Sequence, residues 1–385
     1  MKLVIYEDKP ERFYPLVNLY PQFYLRIGMK TIAEHIAHYS KNTQVQYLGR
    51  DVFGFRKVSS RQPIVYLSSR FLPSRAVSVP QKDTKFIADN NVIGFVKHEP
   101  PFPQNSREIS STFQKIKSKQ KLTGFVLQNV WDLIRYNERV LLLHFSSLAP
   151  SKARTKISIK GDRGKVYVER DAVVHDHVFI DTSDGPVYID SKATILPFSS
   201  IVGPSFIGAG TIVDRAKVVK STLGPVCRIG GEVEACIFQG YANKHHEGFI
   251  GHSFVGEWVN LGALTTNSDL KNNYGPIRVF VGKKKQNSGM TKLGCFIGDH
   301  TKLGIGTLIP TGAMVGSFVN FFGGGMMPQY VSEFTWLTAD KQEPYKLSKA
   351  LETARHVMKR RGRRMTKQYE KLIRKCYAWR SSLSQ

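Results

Sequence analysis

The chain has 385 residues, of which 41% are hydrophobic and 22% charged, and its formal net charge is +26. This length exceeds one typical core, so two domains with extensions are expected. The composition excludes a disordered protein, and no apolar run approaches the roughly 18 residues that span a membrane.

The ends and the cysteines carry little further signal. An apolar start followed at once by charges predicts a first strand and not a signal peptide. The four cysteines form no CxxC pair, which favours free thiols in a cytoplasmic protein. The positive charge would favour anionic ligands such as nucleotides, sugar phosphates or coenzyme A.

Residues 1–150 have the pattern of an α/β domain. Short apolar runs predict buried strands at Leu3–Tyr6, Pro63–Ser69 and Val92–Val96. Apolar residues at helical spacing predict helices over Thr31–Tyr39 and Val130–Phe145. The segment after the first strand, EDKPERFYPL, contains no glycine, and there is no GxGxxG or Walker loop.

A weaker phosphate-binding candidate lies further along this domain. Arg26 and Gly28, in the segment YLRIGMKTI, precede the predicted helix and would suit a phosphate-facing turn. A structural turn with a solvent-facing arginine is the alternative. Residues 151–165 are polar, basic and glycine-containing, which predicts a linker.

From Val166 an aliphatic or aromatic residue recurs every six positions. The step connects Ile189, Ile195, Ile201, Ile207, Val213 and Val219, and it returns at Ile297, Leu303, Ile309, Val315 and Phe321. A hexapeptide period predicts a parallel β-helix over residues 166–335, in which three strand-and-turn units make a coil of about 18 residues. Inward residues should then stack 18 positions apart: Ile189 on Ile207, Ile195 on Val213, and Ile201 on Val219.

Two segments depart from the repeat. Between Asn267 and Thr291, polar residues, glycine, proline and three consecutive lysines predict an extruded loop, either on a binding face or as a solvated excursion. Residues 346–385 predict a basic amphipathic helical tail. The stretch from Lys341 to Gln385 has 14 Lys/Arg and 3 Asp/Glu. Docking of the apolar stripe on the protein is favoured over contact with nucleic acid or a membrane.

The segment from Tyr241 to Asn273 has the residues best suited to chemistry. It contains, in order, His245-His246, Phe249-Ile250-Gly251, Asn260-Leu261-Gly262-Ala263, Thr265-Thr266-Asn267 and Asp269. These motifs resemble those of the bifunctional N-acetylglucosamine-1-phosphate uridylyltransferase/glucosamine-1-phosphate acetyltransferases, and more narrowly an alternate form with a divergent N-terminal domain. The resemblance covers nearly the whole chain and is specific around His246.

The resemblance implies a fold and a reaction. The fold is an α/β nucleotidyltransferase-like domain followed by a left-handed parallel β-helix and a C-terminal α-helical tail. The reaction is acetyl transfer from acetyl-CoA to an amino-sugar 1-phosphate, coupled to nucleotidyl transfer that yields UDP-N-acetylglucosamine or a similar nucleotide sugar. Mg²⁺ would serve the N-terminal domain, and a homotrimer would form the acetyl-transfer site between subunits.

The resemblance also implies residue roles. His246 would be the general base and Asn260 would position the nucleophile. Substrate contacts are implied for Lys244, His245 and Phe249, coenzyme contacts for Ala263 and Asn267, and a nucleotidyl-transfer role for Asp132. The phosphate-facing candidates Arg26 and Gly28 would act with Asp132 in nucleotidyl transfer. The family often has Tyr where Phe249 stands, and a lysine that meets the sugar phosphate falls near Cys236, so the acceptor sugar stays open.

Other functions compete with this interpretation. The N-terminal domain would be inactive in one alternative, and the β-helix would be a non-catalytic assembly scaffold in another. A zinc site needs three converging histidines, whereas the six-residue spacing of His246 and His252 places them on adjacent faces. No metal site is therefore predicted in the β-helix.

Overall fold

The computed structural model describes residues 2–40, 44–149 and 157–383, with side chains described as far as residue 378. The chain divides into two compact units. The first contains Met1–Phe13, Tyr20–Leu25 and Lys30–Asp132, and the second contains Tyr14–Leu19, Arg26–Met29 and Leu133–Gln385. Part of the predicted linker, residues 151–156, lies outside the described residues. The predicted division at residue 150 stays a prediction.

The chain forms five α-helices within its described residues. They are α1 Ile32–Tyr39, α2 Ser106–Lys115, α3 Asp132–Phe145, α4 Leu347–Lys359 and α5 Lys367–Leu383. The first ten strands are β1 Lys2–Tyr6, β2 Arg26–Ile27, β3 Lys30–Thr31, β4 Gln44–Leu48, β5 Ile64–Ser68, β6 Phe71–Pro73, β7 Thr84–Ala88, β8 Asn91–Lys97, β9 Lys119–Lys121 and β10 Gly124–Val126.

The first unit is built on a six-stranded sheet in the order β4-β1-β5-β8-β7-β9. Strand β1 pairs in parallel with β4 and β5, and β8 is antiparallel to both of its neighbours. The apolar runs predicted as strands are β1, β5 and β8. Helix α1 begins at Ile32 because Thr31 and Glu34 form a capping box that satisfies the first backbone N–H groups.

The second unit is a parallel β-solenoid followed by two helices. Its strands as far as the extruded loop are β11 Ser158–Lys160, β12 Val166–Val168, β13 Val173–Val174, β14 Phe179–Asp181, β15 Val187–Ile189, β16 Thr194–Ile195, β17 Ser200–Val202, β18 Ser205–Ile207, β19 Ile212–Val219, β20 Thr222–Leu223, β21 Arg228–Glu234, β22 Ile237–Phe238, β23 Asn243–Lys244, β24 Phe249–Gly251, β25 Phe254–Val255, β26 Asn260–Leu261 and β27 Thr266–Asn267.

The remaining strands form the loop and the last coils. They are β28 Arg278–Val281, β29 Lys284–Asn287, β30 Cys295–Ile297, β31 Lys302–Leu303, β32 Thr307–Ile309, β33 Ala313–Val315, β34 Asn320–Phe321, β35 Gly325–Met326, β36 Tyr330–Val331, β37 Thr335–Leu337 and β38 Gln342–Pro344. Strands β28 and β29 make an antiparallel hairpin, so the predicted loop has structure of its own.

Parallel columns of strands form the faces of the solenoid, and one column has nine members, from β12 to β36. The side chains between the faces are buried aliphatic residues. The fold class predicted from the repeat is therefore confirmed. Two of the predicted stacks are also confirmed, because Ile189 pairs with Ile207 and Ile195 pairs with Val213.

The third predicted stack is wrong. Ile201 pairs with Val218 and not with Val219, and the ladder between β19 and β21 shifts register between Val213 and Ala216. The coils here are shorter than 18 residues because residues are missing at their corners, so the predicted 18-residue offset does not hold. Burial decides the register, since Val218 is fully buried whereas Val219 is only half-buried.

Aromatic side chains line one edge of the solenoid, in the corner ladder Tyr241, Trp258, His300, Phe318 and Phe334. All five have positive φ, between 51° and 61°. Bulky residues rarely adopt this conformation, so the surrounding structure must compensate for it. Stacking of successive rings, with centroids 4.2 to 6.1 Å apart, supplies that compensation.

The basic tail consists of two helices, where the sequence predicted one helical segment. Gly362, with φ of 66°, ends α4, and the N–H groups of Gly362 and Arg363 donate to the carbonyls of Lys359 and Met358. The apolar side of α4 is buried, as predicted for docking on the protein. Helix α5 reaches the corner ladder through Tyr369, whose hydroxyl lies 2.9 Å from His300 Nε2.

No helix in the described part of the chain combines the length and apolarity required to cross a bilayer.

Candidate functional site

His246 lies exposed at a corner of the solenoid directly after β23. The register of β23 and β26 pairs Asn243 with Asn260, so Ala263 occupies the same corner one coil on. A hydrogen bond of 2.8 Å from Leu264 N to Glu247 O connects the two corners. The structure therefore brings together two residues that the sequence placed at the acetyl-transfer site.

The neighbouring histidine is held more tightly. His245 Nε2 lies 3.5 Å from Asp214 Oδ2, and its ring packs edge-on to the ring of His246 with centroids 5.3 Å apart. Below this corner, a Cβ added to Gly230 would lie 1.9 Å from the carbonyl oxygen of His245. Glycine at 230 thus lets the coil below approach closely enough to position the histidine pair.

Lys244 does not face a substrate, contrary to its predicted phosphate contact. It pairs with Ile229 in the inward column and is 2% exposed. Its ammonium donates to the carbonyls of Gly230 and His246, at 2.8 and 2.7 Å. Burial lowers the pKa of Lys244 to about 8. This lysine stabilises the backbone under the histidine corner from the inward column in which Ile229 lies one coil before it.

The lowered pKa of Lys244 predicts a pH-dependent stability. Between about pH 8 and the ordinary lysine pKa near 10.4, the unfolded chain binds more protons than the folded chain, so the free energy of unfolding should rise with pH. From pH 8 to 9.5 we expect Lys244 to contribute about 2 kcal/mol to this rise. Thermal denaturation at several pH values should show a smaller increase for Lys244→Met than for the wild type. Lys283→Met, at an exposed lysine, should keep the wild-type increase.

Asn260 points outward on the face that precedes the histidine corner. Its Oδ1 accepts a hydrogen bond of 3.0 Å from Asn243 Nδ2, and within the described chain it makes no hydrogen bond to His246. Phe249 is half-buried on the next face, and its N–H donates to Thr266 Oγ1. The predicted site residues thus surround one corner and the two faces that meet there.

Asn267, predicted to contact the coenzyme, is instead part of the interior. It is 2% exposed. Its Oδ1 accepts from Gly251 N at 2.7 Å, and its Nδ2 donates to Gly251 O and Ser268 O. The amide satisfies backbone groups of the neighbouring coil, so its side chain is not available to a ligand.

A histidine-carboxylate pair that the sequence reasoning missed lies nearby. His252 Nδ1 is 2.7 Å from Asp269 Oδ2, and both side chains are largely buried. Burial opposes ionisation of Asp269, but the hydrogen bond and charge of His252 keep its pKa below the ordinary value. Such a pair orients an imidazole in one tautomer. His246 and His252 flank strand β24, so both imidazoles are candidates for proton transfer. The 17-residue separation of His252 and Asp269, close to one coil, was the available signal.

An apolar surface adjoins the histidine corner. The corner stripe consists of five exposed side chains: Leu264, Ile305, Leu308, Phe322 and Met326. Leu308 and Met326 are neighbours in the β32–β35 ladder, and Gly306 N donates to Ala263 O. A contiguous exposed apolar surface of this kind is typical of a protein interface.

The predicted phosphate-facing turn at Arg26 and Gly28 is a packing turn. Arg26 donates to the carbonyls of Gln239 and Met29, and Gly28 N donates to Asn137 Oδ1 at 2.8 Å. A Cβ on Gly28 would lie 2.6 Å from the Nδ1 of His144. Glycine is required here because the turn packs against α3 with a positive φ of 59°.

Asp132 also has a structural position. Its Oδ2 accepts from the N–H groups of Gln128 and Asn129, at 2.7 and 3.0 Å, where α3 begins. These hydrogen bonds fix the segment that leads into α3 and occupy the Oδ2 atom. The nucleotidyl-transfer role predicted for Asp132 has no support from these contacts.

The polar residues of the first unit gather elsewhere, at the carboxyl ends of β1, β4 and β5. Asp8 pairs with Arg70 at 2.8 Å, and Glu7 pairs with Arg50 at 2.8 Å. Ser68 Oγ donates to Asp8 Oδ2. Ligands of open α/β sheets bind at this edge. Applying that rule to the predicted parallel strands would have found these residues from the sequence.

The described residues contain no group of three or more His, Cys, Asp or Glu arranged to hold a metal ion. Both carboxylates at the sheet edge are already paired with arginines.

Parts of the chain are similar to known proteins. Residues 3–152 match the family model for sugar nucleotidyl transferases. A segment of 202 residues, 51% of the chain, is 29% identical to a bifunctional sugar-1-phosphate nucleotidylyltransferase/acetyltransferase of Sulfurisphaera tokodaii, covering 44% of it. A segment of 244 residues, 60% of the chain, is 24% identical to the bifunctional protein GlmU of Methanocaldococcus jannaschii, covering 52% of it.

A shorter match of 159 residues, 38% of the chain, is 27% identical to the uncharacterized acetyltransferase YaiX of Escherichia coli, covering 66% of it. The chain spans about half the length of the first two relatives.

Proposed function

Because the chain is a relative of the bifunctional sugar-1-phosphate nucleotidylyltransferase/acetyltransferases, we propose that it acts in nucleotide-sugar synthesis. In this proposal the β-solenoid transfers an acetyl group from acetyl-CoA to the amine of an amino-sugar 1-phosphate. The N-terminal unit then joins the sugar phosphate to a nucleotide, giving UDP-N-acetylglucosamine or a similar product. The observation that carries the proposal is the exposed histidine corner, where His246 and Ala263 meet.

In the proposed mechanism His246 takes a proton from the attacking amine. Asn260, turned outward on the adjoining face, would hold the substrate in line, and a backbone N–H near Ala263 would stabilise the negative charge on the thioester oxygen. His245 and Phe249 would border the sugar. The amine nitrogen forms a bond to the thioester carbonyl carbon, and the carbon–sulfur bond then breaks. Coenzyme A leaves as a thiol with the proton that His246 returns.

The N-terminal activity is the second half of the proposal. Mg²⁺ would enter with the nucleotide, because this ion is usually held by substrate phosphates together with one or two carboxylates. Asp8 and Arg70, at the carboxyl edge of the parallel strands, lie where such a substrate would bind.

A coupled assay tests both halves. Purified protein would be supplied with glucosamine 1-phosphate, acetyl-CoA, UTP and Mg²⁺, and free thiol and pyrophosphate would be followed separately. Release of both products supports the bifunctional enzyme. Thiol alone would support an acetyltransferase with an inactive N-terminal unit. Release of neither product, with any amino-sugar phosphate offered, would contradict acetyl transfer.

We also propose that three copies assemble through the corner stripe, which would place His246 at a subunit boundary. Ile305 is 72% exposed, so glutamate there should be harmless to the fold but costly in a dry interface. Light scattering should give three times the chain mass of 43.5 kDa for the wild type and one chain mass for Ile305→Glu. Phe198→Glu, equally exposed but outside the stripe, should stay trimeric. A wild-type monomer would contradict the assembly.

The compartment proposed is the cytoplasm. Acetyl-CoA and UTP are intracellular metabolites, and all four cysteines are free thiols, three of them buried.

A further inference from the structure

A cavity of about 290 Å³ separates α4 from the solenoid face that bears Asn260. Its walls include six polar or aromatic side chains: Asn243, Trp258, Asn260, Lys302, Arg360 and Arg361. The arginines come from the end of α4, and the other four belong to three successive coils. We refer to this cavity as the Arg361 pocket.

The charges of the Arg361 pocket are unbalanced. Its lining residues include two arginines and Lys302, whose pKa burial lowers to about 7, and they include no carboxylate. Arg361 Nε is buried and makes no hydrogen bond to any described residue. A buried guanidinium donor without a partner is costly, and in native proteins it usually has an acceptor that completes it.

A further arginine near the Arg361 pocket adds to its positive charge. Arg228 lies one coil below Asn243, and its guanidinium donates to the carbonyls of Gly210 and Cys227. Burial and the neighbouring charge of Arg361 lower the pKa of Arg228. No ion pair joins Arg228, Arg360 or Arg361 to a carboxylate in the described part of the chain. Cations that repel each other around a cavity are stabilised when an anion enters.

The Arg361 pocket also has aromatic and amide side chains. Trp258 stacks on Tyr241 with ring centroids 4.2 Å apart, and Tyr241 accepts hydrogen bonds from the guanidinium of Arg363. The amides of Asn243 and Asn260 border the same space. Arginine forks suit the oxygens of a phosphoryl group, and amides suit the hydroxyls of an organic portion.

We propose that the Arg361 pocket binds the phosphoryl group of a small organic phosphate, with Arg360 and Arg361 as its ligands. The C-terminal helices thereby add a phosphate site to the solenoid face next to Asn260. This inference does not depend on acetyl transfer, since it concerns binding alone. An acyl-coenzyme A and a sugar phosphate both have the required chemistry.

Calorimetric titration of the full-length protein with inorganic pyrophosphate tests the pocket. Pyrophosphate is also a product of the nucleotidyl transfer proposed for the first unit. We therefore expect a saturable site that depends on Arg361, in addition to any binding to the first unit. Arg361→Gln should weaken binding about tenfold or more, because a charge-assisted fork is lost, and Arg361→Lys should be intermediate. Arg364→Gln, an exposed arginine of the same basic run but outside the pocket, should change the affinity by less than about twofold.

Stability separates a binding role from a structural role. Because Arg361→Gln removes repulsion between like charges, its melting temperature without ligand should not fall below that of the wild type. If Arg361→Gln lost both binding and stability, Val357→Phe would serve as the test instead. Phenylalanine at this position of α4 fills the cavity and should also weaken binding. Equal losses in Arg361→Gln and Arg364→Gln, or no saturable binding by the wild type, would overturn the proposal.

Competition distinguishes the two sources of phosphate. Displacement of pyrophosphate by coenzyme A assigns the pocket to the acyl donor, and displacement by glucosamine 1-phosphate assigns it to the acceptor. Displacement by neither, with pyrophosphate binding intact, supports a site for a third organic phosphate. His246→Ala should retain pyrophosphate binding whatever its effect on acetyl transfer, so failure of one proposal does not imply failure of the other.

Discussion

Replacement of His246 by alanine should lower the rate of acetyl transfer by about 10² to 10⁴-fold, the usual contribution of a general base. The side chain is exposed at a solenoid corner, so its removal leaves no cavity and should hardly affect folding. The rate of thiol release from acetyl-CoA measures the effect, and the melting temperature confirms that the fold is intact. His175→Ala, at an exposed histidine in a distant coil, should retain the wild-type rate.

A competing assignment is that His252, oriented by Asp269, transfers the proton instead of His246. If His246→Ala kept the wild-type rate while His252→Ala lost it, proton transfer would belong to the oriented pair. The Asp269→Asn variant then becomes informative, because asparagine keeps the shape but not the charge that favours the protonated imidazole. A loss of rate in Asp269→Asn as well as in His252→Ala would assign proton transfer to this pair.

Replacement of Asp8 by alanine should destabilise the first unit by about 3 to 5 kcal/mol, since it leaves a buried charge without its partner. Arg70 is 2% exposed, and Asp8 Oδ2 accepts from its Nη2 at 2.8 Å and from its Nε at 2.9 Å. The remaining acceptors of Arg70 are uncharged groups of Leu127 and Gln128. Urea denaturation followed by circular dichroism measures the loss.

Two variants make this prediction specific. Asp51→Ala, at an exposed aspartate of the same unit, should alter the free energy of unfolding by less than about 0.5 kcal/mol. Asp8→Ala combined with Arg70→Met removes both charges and should be more stable than Asp8→Ala alone. An effect of Asp8→Ala no larger than that of Asp51→Ala would show that the ion pair is not a structural element.

The repeat could be predicted from the sequence more completely than the site. The six-residue step predicted the solenoid because the information is local: each hexapeptide states which side chain points inward. The confirmed stacks of Ile189 on Ile207 and Ile195 on Val213 follow from that step. The failed stack of Ile201 marks where a corner loses a residue, which spacing alone does not reveal.

The same limit explains the misplaced residues. The resemblance implied ligand contacts for Lys244 and Asn267, but their places in inward columns direct both side chains into the solenoid. Arg26 and Gly28 suggested a phosphate turn, whereas their partners, Gln239 and Asn137, come from distant segments.

The sequence by itself determined the two-part architecture, the solenoid, the basic tail and the histidine corner, because periodicity and local motifs encode them. Only the tertiary structure decided which polar residues face solvent, that His252 meets Asp269, and that the end of α4 encloses a cationic cavity on the Asn260 face. Those outcomes depend on contacts between residues that are distant in the chain. Such contacts are selected by the burial and hydrogen bonding of the whole fold and not by any short pattern.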